Sequence, residues 1–304
     1  MIRTTPPRPL DVSAVFPQLG PLARPAIRLH PRPGTTSPYV SSVGGPLLWP
    51  ADEPWPYCDE SHGWGELLDG EWIEREGRFP LLPIAQLYLR DVPLLRPPGR
   101  ADLLQVLWCP FEHEPDEKPP TALHWRNAAE VTDVLAAPHG QYALDWDGYV
   151  PEPCVLAPEQ ITEYPDFLEL GEELQQQLKD WSRWRAAGAD VDASYAPCPQ
   201  AFYGSHLAEA PGWKVGGWAP WGLTDPIARF CTVCGTEMGP LLTIASREWD
   251  GGTHCWIPYE DQALAALPGS NAANPPGVQV SKGNHLQLYV CPESPDHPHT
   301  TLIQ

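Results

Sequence analysis

Positive charge is scarce in this chain. Nineteen lysines and arginines stand against 39 aspartates and glutamates, which leaves a formal net charge of −20. Such a surface repels phosphate backbones and anionic lipid, so a sequence-tolerant nucleic-acid binder is excluded and a basic protein or peptide segment is the expected partner. No apolar run approaches the ~18 residues that a membrane span needs. Residues 1–20 lack the apolar centre of a secretory signal, so a soluble, cytoplasmic protein is expected. Cysteine is sparse, 8 in 304. That is too few for a disulfide framework, and without an export signal the thiols read as reduced or metal-bound. Catalytic signatures are missing as well: no Gly-x-Ser-x-Gly elbow, no phosphate loop and no His-Glu-x-x-His. Acidic residues such as Asp145, Asp147 and Asp166 read as solvent-facing carboxylates.

Proline, by contrast, is abundant. Forty prolines are about 13% of the chain against a usual ~5%. With 25 glycines they exclude a long-helix bundle, because proline breaks the helical ladder. Fourteen Trp, 10 Tyr and 6 Phe argue against disorder and for a packed fold with many loops.

Three blocks recur in one order. Val43-Gly44-Gly45 with Trp49 matches Val215-Gly216-Gly217 with Trp221, and Pro80-Leu81-Leu82-Pro83-Ile84-Ala85 matches Pro240-Leu241-Leu242-Thr243-Ile244-Ala245. Leu104-Gln105-Val106-Leu107-Trp108-Cys109-Pro110 matches Leu286-Gln287-Leu288-Tyr289-Val290-Cys291-Pro292. The offsets are 172, 160 and 182, so the blocks differ in loop length only. This reads as internal duplication. The paired glycines mark positive φ or close backbone approach. The Leu-Leu-x-Ile-Ala run reads as a buried strand. Alternation at Leu104, Val106 and Trp108, and at Leu286, Leu288 and Val290, predicts strands with one face inward. Residues 26–30 read as a further strand.

The expected fold is therefore α+β and β-rich, with two pseudo-repeated halves joined by a helix-containing connector. Residues 1–25 read as a proline-rich leader, a loop or loosely docked arm. The first half spans 26–190 and the second 206–304, with 191–205 between them. Residues 26–125 and 206–304 are expected to superpose as similar sheets. A helix is predicted over 166–187, with a cap-like start at Tyr164-Pro165-Asp166, one apolar face through Phe167, Leu170, Leu174, Leu178 and Trp181, and Gly188 just past its end. Shorter helices are predicted over 127–136 and 259–267.

Cys231-Thr232-Val233-Cys234-Gly235 carries the sharpest chemistry. Two thiolates at this spacing reach one tetrahedral ion, and the glycine eases the turn. A redox pair wants a helix after it. Here Gly235, Gly239 and Pro240 follow, which favours a knuckle, with ordinary reduced thiols as the plain alternative. The repeat nominates Cys291 as a third ligand. The first half echoes the pattern: Cys58 and His62 precede its strand and Cys109 and His113 follow the neighbouring one. Two Cys and two His satisfy zinc. Cys154, Cys198 and Cys255 have no companion at ligand spacing and are expected as buried thiols. Trp49, Trp55, Trp64, Trp72, Trp213, Trp218 and Trp221 gather around the glycine blocks, for packing or for partner recognition.

The blocks Gly44–Pro50, Pro80–Leu87 and Leu103–Leu107, with Glu163-Tyr164-Pro165, resemble the bacterial YwqG-like family of domains of unknown function. That resemblance covers 26–292; it implies a fold and no reaction. Lys214-Val215-Gly216-Gly217, Cys231-x-x-Cys234-Gly235 and Cys291-Pro292 resemble the programmed-cell-death-two-like proteins, which implies a link to ribosomal-protein chaperoning. Their pattern has a second cysteine where this chain has Ser294. The fourth ligand is then read as His297, with His299 or water as alternatives, giving a structural zinc on Cys231, Cys234, Cys291 and His297. The functional expectation is a non-catalytic binding module of adaptor, chaperone-like or immunity type. The alternative is a metal-dependent hydrolase with an open site near His62 and His113.

Overall fold

A computed structural model describes residues 2–68, 70–135, 141–144, 147–187 and 193–304. Asp145, Ala136, Gly188 and the first two connector residues lie outside them. Strands dominate: β1 (Arg24–Arg28), β2 (Arg32–Pro33), β3 (Ser42–Val43), β4 (Tyr57–Leu68), β5 (Glu71–Pro80), β6 (Leu82–Tyr88), β7 (Leu103–Trp108), β8 (Thr121–Arg126), β9 (Gln141–Ala143), β10 (Cys154–Val155), β11 (Glu159–Glu163), β12 (Lys214–Gly216), β13 (Gly239–Ala245), β14 (His285–Val290) and β15 (Thr300–Ile303). The protein is α+β and β-rich. Among the described residues no helix is long and apolar enough to cross a membrane.

The chain forms two compact units. Unit 1 holds residues 1–30, 157–274 and 285–304; unit 2 holds 31–156 and 275–284. This division follows another line than the 26–190 and 206–304 halves read from the sequence. The reason is strand pairing: β11 pairs with β1 and β1 pairs with β12, so both ends of the expected first half join the sheet of the second.

Unit 1 contains a six-stranded sheet in the order β11-β1-β12-β13-β14-β15. Unit 2 contains a six-stranded sheet in the order β2-β10-β3-β6-β7-β8, and a three-stranded sheet β5-β4-β9. All ladders among them are antiparallel, and the two larger sheets agree in register. Val43 opposes Ala85, which opposes Val106; Val215 opposes Leu242, which opposes Leu288. Bulges interrupt the ladders between Pro83 and Ala85 and between Pro240 and Leu242. Pro83 is thus the counterpart of Pro240. The sequence match of Pro80 to Pro240 is three residues out of step, because similar apolar runs align in more than one frame whereas hydrogen-bond register does not.

The repeated glycines are required by conformation. Gly44, Gly45, Gly216 and Gly217 have φ of 77°, 79°, 71° and 71°. At Gly217 a Cβ would lie 2.2 Å from Glu163 Oε2. The repeated glutamine is also explained. β7 is buried on both faces, not one, as is β14 from Leu286 to Tyr289. Gln105 and Gln287 are therefore interior polar rungs. Gln105 Nε2 donates to Leu48 O and Gln86 Oε1, and Thr243 Oγ1 donates to Gln287 Oε1.

The helical core of unit 1 corrects three expectations. The leader is integral: helix α1 (Val12–Val15) and a 3-10 segment at Pro17–Leu22 bury Val12, Phe16 and Leu19. The predicted 166–187 helix is three pieces, a 3-10 turn at Phe167–Glu169, α2 (Glu172–Leu178) and α3 (Trp181–Ala186). Asp166 caps the first by accepting from Leu168 N. Asp180 accepts from Ser182 N and so starts α3, which apolar spacing does not register. The connector region 191–205 contributes most of α4 (Pro199–His206), whose Phe202 and Tyr203 join Leu170, Leu174, Leu178 and Trp184 in one core. The Tyr203 hydroxyl donates to Pro165 O.

Two shorter helices shrink. Residues 259–267 hold only α5 (Gln262–Ala265). Residues 128–130 form a single 3-10 turn, since Leu135 N bonds to Trp49 O and Ala51 N to Asp133 O, drawing that segment into pairing.

Candidate metal centres

In unit 1 a hairpin turn presents Cys231 and Cys234. Gly235 N and Thr236 O close it onto Cys231 O and N at 2.9 Å each, and a bridge pairs Phe230 with Glu237. Gly235 takes φ of 72°, the left-handed region that favours glycine. Cys291 follows the last residue of β14, and His297 returns through a turn in which its N–H bonds to Ser294 O. The ligand atoms of Cys231, Cys234, Cys291 and His297 lie within 4.8 Å of one another. His297 Nδ1 is 3.4 Å from the sulfurs of both Cys231 and Cys291, and the Cys234 and Cys291 sulfurs are 3.4 Å apart. His299 is not in the set. Ser294 supplies the turn instead of a ligand.

Unit 2 builds a second set from Cys58, His62, Cys109 and His113, again within 4.8 Å. Cys58 and His62 sit on β4 itself. In a regular strand residues four apart are about 13 Å distant. Here β4 bulges: Cys58, Asp59 and Glu60 stand where β5 offers only Phe79, and Cys58 Sγ comes to 3.3 Å from His62 Nε2. Cys58 Sγ is also 3.3 Å from His113 Nε2, and Cys109 Sγ is 3.5 Å from His62 Nε2. Cys109 follows β7 as Cys291 follows β14.

Both sets fit a tetrahedral ion. With metal–sulfur bonds of about 2.3 Å and metal–nitrogen bonds of about 2.0 Å, tetrahedral edges are roughly 3.3–3.8 Å. The S···N edges of 3.3–3.5 Å match the roughly 3.5 Å expected of them, and the Cys234–Cys291 S···S edge, 3.4 Å, is shorter than the roughly 3.8 Å of a loaded site.

No family model matches the chain, and no curated protein matches it either.

The electrostatics distinguish the two sets. Hydrogen bonds from Thr236 hold the exposed Cys234 thiol down to about 6. Burial pushes Cys291 and Cys109 up as free thiols. Burial, with His113 nearby, lowers His62 and favours the neutral imidazole a metal requires. His113 Nδ1 lies 3.0 Å from Glu60 Oε1, which orients Nε2 toward the sulfurs. His62 stacks on Phe111 with centroids 4.2 Å apart. Sequence reasoning missed Glu60 and Phe111, because neither stands at ligand spacing. With a divalent ion the Cys3His set carries a formal −1 and the Cys2His2 set is neutral.

The other thiols divide. Cys154 is buried, as expected; Cys198 is exposed and Cys255 half-buried. Among the tryptophans, Trp49 and Trp213 are core residues, Trp55, Trp64, Trp218 and Trp221 are half-buried, and Trp72 is 58% exposed.

Proposed function

We propose that this protein is a non-catalytic binding module of adaptor or chaperone type, with a structural zinc in each unit. The observation that carries the reading is that each set contributes four protein ligands, which fill a tetrahedron and leave no corner for substrate or water. That argues against the hydrolase alternative at His62 and His113. With the metals as staples, function falls to the surface, and its charge of −20 favours a basic protein partner, not nucleic acid. The shared order of β3-β6-β7-β8 and β12-β13-β14-β15, and the matching register of their first three strands, support descent by duplication. A cytoplasmic setting suits reduced zinc-binding thiols.

The test has two readouts. Elemental analysis of protein purified without chelator is expected to give two zinc ions per chain. Affinity capture from host extract is expected to retain a basic protein that leaves as salt screens the contact. Substoichiometric metal, or hydrolysis of ester and peptide substrates that depends on His62, would overturn the reading.

A further inference from the structure

The β4–β5 hairpin of unit 2 is solvent-open. Among the described residues β5 pairs only with β4, in the order β5-β4-β9, and Glu71 to Glu76 are all exposed. An edge strand offers a row of N–H and C=O groups to any chain that lies beside it. Such edges are commonly guarded by charged side chains, proline or a covering loop. β5 has its one proline, Pro80, at its end and is guarded along its length by Glu71, Glu74, Arg75, Glu76 and Arg78, so it selects a partner strand by charge.

The two faces of β5 differ. Trp72, Glu74 and Glu76 share one face with Leu67, Gly65 and Gly63, their direct partners on β4. The Trp72 ring lies over Gly65. Beneath Glu74 and Glu76 there are only glycines, so no cation on β4 answers them. On the other face Ile73 is 38% exposed, and Arg75 is engaged by Glu66 at 2.9 Å. From Trp72 to Glu76 one face is therefore acidic and aromatic at a two-residue period, with Arg78 next on it held by Asp59 and Cys58 O, and the other face offers an apolar contact.

We propose that the free edge of β5 receives an extended basic segment of a partner protein by strand addition, with alternate Lys or Arg side chains on Trp72, Glu74 and Glu76. This rests on the basic-partner reading above and gives it a place. Side chains on one face of a strand repeat every ~6.6 Å, so the spacing of basic residues at i, i+2 and i+4 matches that of the receptor residues. The intervening positions meet Ile73 and favour an apolar or β-branched residue.

The experiment uses the full chain and a fluorescent peptide of about ten residues that alternates Lys and Val. Binding is read by anisotropy at about 150 mM salt. Against wild type, the Glu74→Lys/Glu76→Lys double variant is expected to bind at least about tenfold more weakly, and Trp72→Ala several-fold. All three positions are exposed, and circular dichroism checks the fold. A peptide N-methylated at alternate amides keeps its charge but cannot pair along the edge; it too is expected to lose about tenfold. If the peptide binds wild type and the Glu74→Lys/Glu76→Lys variant equally, or if methylation has no effect, the β5 site is wrong while the basic-partner reading stands. If neither this peptide nor a basic protein captured from host extract binds, the partner reading fails with it.

Discussion

Cys109 and Cys291 each follow the same strand of their respective six-stranded sheets and each supplies one corner of a four-ligand set. The relationship makes the two sites separable. Cys109→Ser is expected to reduce the metal content from two zinc ions to one and to raise hydrogen exchange in unit 2. Cys291→Ser is expected to do the same for unit 1. Structural zinc binds with on the order of 10 kcal/mol, so each loss should lower unfolding stability by several kcal/mol. Loss of both ions from either single variant would contradict independent sites.

The Lys214–Glu163 pair is the charged centre of unit 1. Both side chains are fully buried, with Nζ 2.7 Å from Oε1. Glu163 also accepts from Ala210 N and Trp218 N. Lys214→Met leaves a buried carboxylate without its cation and is expected to cost about 3–5 kcal/mol in urea unfolding. Adding Glu163→Gln should recover part of that.

Gly217 tests the same centre from the backbone side. Glu163 is held by its hydrogen bonds and cannot retreat from a Cβ placed 2.2 Å from Oε2. Gly217→Ala is therefore expected to cost at least about 3 kcal/mol. Gly70→Ala, where a Cβ meets nothing within 4 Å, controls for positive φ alone.

His285 sets a pH dependence. Burial holds its pKa down to about 4 from 6.5, and its Nε2 lies 3.3 Å from Pro220 O. As pH falls below 6.5 the unfolded chain gains a proton that native His285 refuses until about pH 4. Stability contributed by the neutral ring is complete above 6.5, declines across that window and levels off below it. The slope is about 1.4 kcal/mol per pH unit, or about 3 kcal/mol in all. His285→Gln keeps a donor for Pro220 O and removes the titration. The difference between wild type and variant in urea unfolding at several pH values isolates this term from metal release, which both share.

How far the residues announce this structure depends on the range of the interaction. Cys-x-x-Cys-Gly is a local turn, so the unit 1 knuckle was legible, and the repeat carried the reading to Cys291. The bulge that folds Cys58 back onto His62 depends on pairing with β5, and nothing in the spacing of 58 and 62 encodes it. Strand exchange was hidden for a similar reason. β1 is adjacent in sequence to unit 2, yet its partner β12 lies nearly two hundred residues on. The apolar residues from Phe167 to Trp181 do lie in or against one core, but their period predicts a single helix and is blind to the Asp180 cap that starts another. The β4–β5 hairpin escaped notice because an exposed strand has no inward face to impose alternation on its sequence.

The carboxylate beside His113 supplies the last test. Glu60 Oε1 lies 3.0 Å from Nδ1, and an imidazole that donates there presents its Nε2 lone pair to the metal in a fixed direction. Glu60 touches no sulfur, so its effect must pass through His113. Removing such an outer partner typically costs 10- to 100-fold in metal affinity. Glu60 is 58% exposed, where water competes for the same N–H, so the low end, about tenfold, is expected for Glu60→Gln. Chelator competition measures it, with the Cys231–His297 site in the same molecule as an internal reference. Only the unit 2 ion should leave at lower chelator concentration. If Glu60→Gln shifts both ions equally, or neither, Glu60 does not position His113, and the 3.0 Å contact is only a surface ion pair.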